Sequence, residues 1–236
     1  TGMNRLGFSR PQIAELKTFL VANPNLEVKS IFSHLAASDA DEHEAFTLNQ
    51  INEFRELSGE LISVLTNQPI LHILNSGGIT RFPEAQFDMV RLGIGLHGVE
   101  VNKKYQLQKP AILKTVISQI REIAAGETIG YGRRGKASQA MRIAVIAIGY
   151  ADGYLRTFSN GKAFVSINGQ QARTVGNVCM DMTMVDITGL NAQEGDEVIV
   201  FGESPSVSDL AEWADTIPYE ILTNVSNRVK RVFYSE

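Results

Sequence analysis

Near residue 104 the hydrophobic pattern of this chain changes period, and that change limits the folds open to it more than any other feature. Before it, short apolar runs alternate with longer segments of helical spacing. In PQIAELKTFLVAN, Ile13, Leu16, Leu20 and Val21 recur at helical intervals, and Pro11 sits where a helix start tolerates it. VKSIFSHLA predicts a buried strand, and a long helix follows from about Asp41 to Leu65. PILHILNS predicts a strand, GGITRFPEA a short helix and FDMVRLGIG another strand. The opening TGMNRLGF, with Leu6 and Phe8 around Gly7, predicts the end of a buried strand and the loop after it. Strands separated by helices build a parallel sheet with crossover helices. Four such strands make half of an eight-stranded barrel, or a small open sheet.

After YQLQKPAILK the helical period is lost. AILKTVISQIREI alternates, MRIAVIAIGYA is apolar on both faces, and AFVSINGQQARTV turns at Asn168-Gly169, a type I′ hairpin signal. DEVIVFG predicts a short strand and SVSDLAEWAD a helix capped by Ser208. The expected architecture is therefore α/β, with a partial α/β barrel over 1–104 and a mostly antiparallel β domain over 105–236. A hydrophobic content of 44% in 236 residues supports a sizeable core. A net charge of −4 and the lack of a basic run argue against nucleic acid. The longest apolar stretch, IAVIAIGYA at 143–151, is too short to cross a bilayer, which argues against a membrane protein. The single cysteine, Cys179, excludes an internal disulfide and suits the cytoplasm.

In parallel α/β folds, reactive groups collect where strands end. Those positions hold Arg5, then His34, then Asn75-Ser76-Gly77-Gly78, then Arg91 before GIGLHG. Arginines are seldom buried without a partner, so two at strand ends suggest anionic or ring-nitrogen ligands. The NSGG run offers a hydroxyl and backbone N–H groups at a helix start, suited to phosphate, although such a run is more often a plain turn and cap. His34 alone reads more readily as a satisfied core histidine than a catalytic one, and Arg91 alone most simply as a salt-bridge partner. A metal site built from His34, Asp39, Asp41 and His43 is disfavoured, because the helix from Asp41 turns several of them to solvent. In the second half, Tyr131 and Tyr150 lie among glycines, which implies irregular exposed backbone. Cys179-Met180 reads most simply as two soft core residues.

Taken in order, TGMNRLGF, SHLAASD, HILNSGG, VRLGIGLHG, GYGRRGKA, IGYADGYLR and GNVCMDMTMVDI closely resemble the alanine racemase family along the whole chain. The resemblance implies a pyridoxal 5′-phosphate-binding barrel followed by a β domain. It also implies interconversion of L- and D-alanine, which supplies D-alanine for peptidoglycan. The closing TNVSNRVKRVF is similar to Bacteroidetes-type racemases, some fused behind a cell-wall peptide ligase, so an N-terminal fusion to a ligase is an expectation. In the family the cofactor lysine lies in a Lys-Ala-x-Ala-Tyr-Gly-type motif, and none of the nine lysines here sits in one. That lysine, with the earlier barrel strands, is expected to precede Thr1, leaving these 236 residues inactive by themselves.

Carried over position by position, the resemblance gives Arg5 the substrate carboxylate, and Ser76, Gly93 and Ile94 the phosphate. Arg91 faces the pyridine nitrogen, and His34 links it to the catalytic tyrosine. Tyr131 is one of two bases, donated across an obligatory homodimer, and the lysine is the other. Met180 is also donated to the substrate site, and Asp39, Tyr150 and Arg156 line the substrate access path. A free tyrosine titrates near pH 10, so a tyrosine base needs cationic neighbours, and His34 and Arg91 are expected to be those cations. Two positions depart from the family pattern. Asn227 stands where a tyrosine contacts the phosphate and crowds the substrate, and Asn177 replaces an arginine of the access corridor. Both put strict alanine specificity in question, with a broader racemase acting on serine, or a non-catalytic dimerisation module, as the alternatives.

Overall fold

The computed structural model describes residues 1–102 and 104–234, which divide into two compact units after Gln108. In the first unit, α1 (Arg10–Ala22) starts with Pro11 in its first turn and a reciprocal cap between Ser9 and Gln12. Ile13 is its buried residue, and Leu16 and Leu20 pack beside it. Val21, expected on the same face, is exposed instead, because it lies round the helix from the Ile13–Leu20 stripe.

Strand β1 (Ser30–Phe32) pairs in parallel with β2 (Ile70–His72), with Phe32 opposite His72. Between them runs α2 (Glu44–Ile62), whose buried residues Thr47, Gln50, Ile51, Phe54, Leu57 and Leu61 form one helical stripe. Leu35, Ile51, Phe54, Ile73 and Leu74 make the main core of this unit. The short helix α3 (Ser76–Arg81) begins at Asn75, whose side-chain oxygen accepts the Gly78 N–H at 2.9 Å.

Two of the four expected strands do not form as such. Asn4 to Phe8 is irregular, with Gly2, Asn4 and Gly7 at positive φ. Leu6 and Phe8 are exposed there, against the expected burial. The segment around FDMVRLGIG lies beside β2 without a ladder. Its Asp88 and Arg91 N–H groups reach the Leu71 and Leu74 carbonyls, a spacing of three instead of two. The Asp88 carboxylate takes the Leu71 N–H at 2.8 Å, replacing a backbone acceptor. Phe87 enters the segment at φ 49°, which breaks an extended run.

The second unit is built on antiparallel pairs. Its strands are β3 (Leu113–Ile123), β4 (Thr128–Ile129), β5 (Gly135–Lys136), β6 (Met141–Ile146), β7 (Phe164–Ile167), β8 (Gln170–Val175), β9 (Thr183–Asp186) and β10 (Glu197–Phe201). Six of them close a barrel in the order β10-β3-β6-β9-β8-β7, and β4 pairs with β5 outside it. The β7–β8 hairpin turns at Asn168 and Gly169, both at positive φ, as a type I′ turn requires. Ile117, Ala144, Ile146, Val165, Ile167 and Val198 alternate inward and fill the barrel. Two helices close the unit, α4 (Val207–Ala214) and α5 (Pro218–Asn224). The cap of α4 is Ser206, not Ser208. Asp209 sits three residues after Ser206 and completes a reciprocal capping box, a partner Ser208 would not have.

Candidate functional site

In the first unit the chemistry gathers around Arg91. Its Nη2 donates to the carbonyls of Ser33 at 2.6 Å and Ile73 at 3.2 Å, and its Nη1 to that of His72 at 3.3 Å. Nη1 also meets His72 Nδ1, and Nη2 lies 3.4 Å from His34 Nδ1. Among the described residues, Arg91 has no carboxylate partner, and its Nε–H makes no hydrogen bond. The guanidinium also lies 5.3 Å over the Phe32 ring, which stacks on His72 at 5.1 Å. A fork fixed by three carbonyls at the ends of β1 and β2 thus keeps one donor to spare.

His34 is placed by Gln50. The buried Gln50 amide donates to the His34 carbonyl at 3.1 Å and accepts the Ala36 N–H at 2.9 Å. Burial, then the Arg91 charge, then that of Arg5, hold His34 below the ordinary imidazole range. Burial and Arg91 do the same to His72. Both rings are therefore neutral near pH 7, and His34 is not the cation it was expected to be. Arg91, with Arg5 farther off, supplies the positive charge around His34, and burial lowers the proton affinity of Arg91 without bringing deprotonation within reach. Arg5 and His34 line one cavity of about 420 Å³, together with Phe32, Ser33 and the segment from Thr1.

Ser76 is buried at the start of α3. Its Oγ accepts the N–H groups of Gly93 at 2.9 Å and Gly95 at 3.2 Å. A hydroxyl that accepts twice still holds its own proton to donate. Ile94, buried between those glycines, anchors the turn. A Cβ on Gly78 would approach Leu35 and Leu74 to 2.8 and 3.0 Å, so the helix start cannot carry a side chain there without displacing the core. Asp39 is exposed. Asp41 pairs with Arg81 at 2.9 Å. Among the described residues no cluster of His, Cys, Asp or Glu has the geometry of a metal site.

Acid should weaken this unit. Because His34 and His72 bind protons less readily when folded than unfolded, their contribution is fully present above the ordinary value of 6.5. It is lost as pH falls through 6.5 toward the depressed folded values. We expect the thermal midpoint at pH 5.5 to lie below that at pH 7.5, and His72→Gln to flatten that slope. A midpoint independent of pH over this range would contradict the neutral assignment.

In the second unit, Tyr131 stands 73% exposed on a turn between Gly130 and Gly132, both at positive φ. Asn177 fixes the turn by donating to the Tyr131 carbonyl at 3.0 Å. Tyr150 and Met180 are brought together, since the Tyr150 and Ala151 N–H groups bond the Cys179 and Met180 carbonyls at 3.0 Å each. Met180 is half exposed, so it is not the core residue that its composition suggests. Arg156 begins a single helical turn near Cys179, whose thiol burial pushes up and Arg156 draws back. Asn227 is exposed between Ser226 and Arg228.

Gly149 is sterically required here. A Cβ would lie 2.3 Å from the carbonyl oxygens of both Cys179 and Met180. Gly149→Ala should cost about 3 kcal/mol, the upper part of the usual overpacking range, measured by urea unfolding. Unchanged stability would mean that the turn moves freely.

Gln50 and His72 are the structural surprises among the groups around Arg91. His72 ends β2 opposite Phe32, a pairing that residue order alone does not show.

Residues 1–101 match the family model for the alanine racemase N-terminal domain, and residues 111–233 match that for its C-terminal domain. The alanine racemase of Clostridium novyi is 42% identical over 99% of this chain, which covers 63% of that relative. The crystal structure of alanine racemase from Bartonella henselae with covalently bound pyridoxal phosphate superposes with a TM-score of 0.89 at 32% identity, covering 99% of this chain and 64% of that one. The alanine racemase of Streptomyces coelicolor gives 0.92 at 28% identity over 100% and 64%. The chain therefore spans a little under two thirds of the relatives it matches. No described helix is long and apolar enough to cross a membrane.

Proposed function

The chain belongs to the alanine racemase family, and from that premise we propose that it provides the cofactor cradle, substrate contacts and one base of a pyridoxal-phosphate-dependent alanine racemase. The observation that carries this reading is Arg91, a cation locked by three backbone carbonyls with its Nε–H left over. The residues fit the cofactor. Ser76, whose Oγ is held by the Gly93 and Gly95 amides, retains its own hydroxyl proton to donate to a phosphate ester, and Arg91 offers a donor to a ring nitrogen. Ile94 shapes the same turn. We assign the first unit, in which the sequence places the barrel segment 1–104, to the closing part of the cofactor-binding barrel, and the second to the β domain.

When bound, pyridoxal phosphate supplies an electron sink that acidifies the hydrogen on the substrate's α-carbon. Arg91 moderates that sink. A guanidinium does not give up its proton at accessible pH, so it donates a hydrogen bond without protonating the ring. Proton return is then favoured over competing transamination. Arg5 binds the substrate carboxylate as a charged donor. Tyr131, presented by the second subunit of a homodimer, moves a proton on one face of the α-carbon. A lysine outside these 236 residues serves the other face. His34, neutral and 3.4 Å from Arg91, relays the position of the guanidinium without adding charge. Asp39, Tyr150 and Arg156 line the access path, and Met180 and Asn227 border the substrate. The shorter Asn227 favours a second reading, in which serine is also accepted. The product D-alanine would serve peptidoglycan synthesis.

The test is covalent. Full-length protein loaded with pyridoxal phosphate, reduced with borohydride and mapped by mass spectrometry should carry a pyridoxyl group on a lysine other than the nine here. An adduct on one of those nine, with turnover, would overturn the division of labour. The absence of any adduct would overturn the reading itself.

A further inference from the structure

Three charged residues of the second unit each stand beside a proposed substrate-facing residue. Asp152 is two residues after Tyr150, Asp181 follows Met180, and Arg228 follows Asn227. Arg228 joins all three segments, with Nε 2.9 Å from Asp152 and Nη2 2.5 Å from Asp181. We propose that Arg228, Asp152 and Asp181 form a positioning clamp that holds Tyr150, Met180 and Asn227 in one arrangement around the substrate. The inference rests on the function proposed above.

Asp152 is the hub. Its side chain is 13% exposed, and its second oxygen accepts the Gly149 N–H at 2.9 Å, fixing the turn that carries Tyr150. Its carbonyl accepts the Ser226 N–H at 3.1 Å, so backbone and side chain both hold the chain on either side of Asn227. Arg231 stiffens that stretch by donating to the Ser226 carbonyl at 2.6 Å and the Val225 carbonyl at 2.8 Å. Behind the clamp the backbones are in contact. Gly149 abuts the Cys179 and Met180 carbonyls, and a Cβ on Gly153 would lie 2.4 Å from the Asn224 carbonyl. The segments pack backbone to backbone, and Arg228 ties them with a planar fork that reaches two carboxylates at once, which a point charge does less well.

An ion pair half in solvent is a weak source of stability, so stability alone does not explain a three-way bridge here. Geometry does. Misplacing groups that orient a substrate by about 1 Å can cost on the order of 100-fold in rate constants. None of the three clamped side chains is the proposed proton carrier, so the loss should fall on substrate binding.

The experiment uses full-length protein and two variants, Arg228→Met and Asp181→Asn. For Arg228→Met we expect the KM for alanine to rise about 10-fold, with kcat changed about threefold or less, the pattern of lost binding without loss of the chemical step. Asp181→Asn should show a smaller shift in the same direction, and Arg228→Lys should recover part of the loss. Unchanged KM in Arg228→Met, or a fall in kcat alone, would overturn the clamp. Hydrogen exchange gives a readout independent of activity. Amides of 149–153 and 179–182 should exchange about 10-fold faster in Arg228→Met while β3 and β6 stay protected. Equal protection in variant and parent would also overturn the clamp. A parent that fails to racemise alanine but shows this exchange pattern would reject the proposed function and retain the mechanical coupling.

Discussion

Tyr131→Phe in the full-length protein should reduce interconversion of the alanine enantiomers by about 1,000-fold, within the range for losing a positioned general acid–base. The fold should not notice. Tyr131 is 73% exposed, and the turn beneath it is held through its carbonyl by Asn177, which phenylalanine preserves. The thermal midpoint and the cofactor content should therefore match the parent. Exchange of the α-hydrogen with solvent discriminates further. With one of two bases removed, exchange should persist for one enantiomer and collapse for the other. Equal turnover in parent and variant would remove Tyr131 from the chemistry, and equal loss of exchange for both enantiomers would make it a structural residue.

Arg91→Glu should have two effects, and the structure gives them a common cause. The carbonyls of Ser33 and Ile73 lose the Arg91 donor, that of His72 keeps only the Ser33 N–H, and all three face a carboxylate in its place. Unsatisfied buried acceptors cost about 1–3 kcal/mol each, so a loss of about 3 kcal/mol in urea unfolding is expected even after solvent repairs part of the damage. In the protein that still folds, an acid at this position can protonate a pyridine nitrogen where the guanidinium could not. The ratio of transamination to racemisation should rise, measured as pyruvate formed per D-alanine produced. A stable variant with an unchanged product ratio would show that Arg91 neither braces the strand ends nor tunes the cofactor.

The antiparallel half was legible because its signals are local. The Asn168-Gly169 turn, the alternation of β3 and the apolar run of β6 each follow from neighbours in sequence. The first half was harder. A strand over FDMVRLGIG was reasonable by composition, but the left-handed Phe87 and the Asp88 side chain divert its hydrogen bonds, and neither is visible in an apolar pattern. The site separates in the same way. Arg91 and Ser76 stand out in the sequence at the ends of expected strands, and the structure gives each a hydrogen-bonded setting. Gln50 does not stand out, because it meets the backbone of residues 34 and 36 from a helix 14 to 16 positions along the chain. The downward pull on the proton affinity of His34 was not legible, since burial is a property of the packed unit and cannot be read from residue order. The clamp of Arg228 on Asp152 and Asp181 joins segments far apart in the chain, and ion pairs of that kind leave no periodic trace.

The most direct test of the account is the fate of enantiopure alanine. L-Alanine and D-alanine are mirror images, so a racemase must bring either one to an equal mixture. Full-length protein with pyridoxal phosphate, incubated separately with each enantiomer and followed by chiral chromatography, should reach the same equal composition from both sides. Tyr131→Phe should leave each nearly unchanged over the same period. If the parent protein leaves both enantiomers as they began, while retaining a bound cofactor, these residues cradle pyridoxal phosphate for some other purpose and the account is wrong.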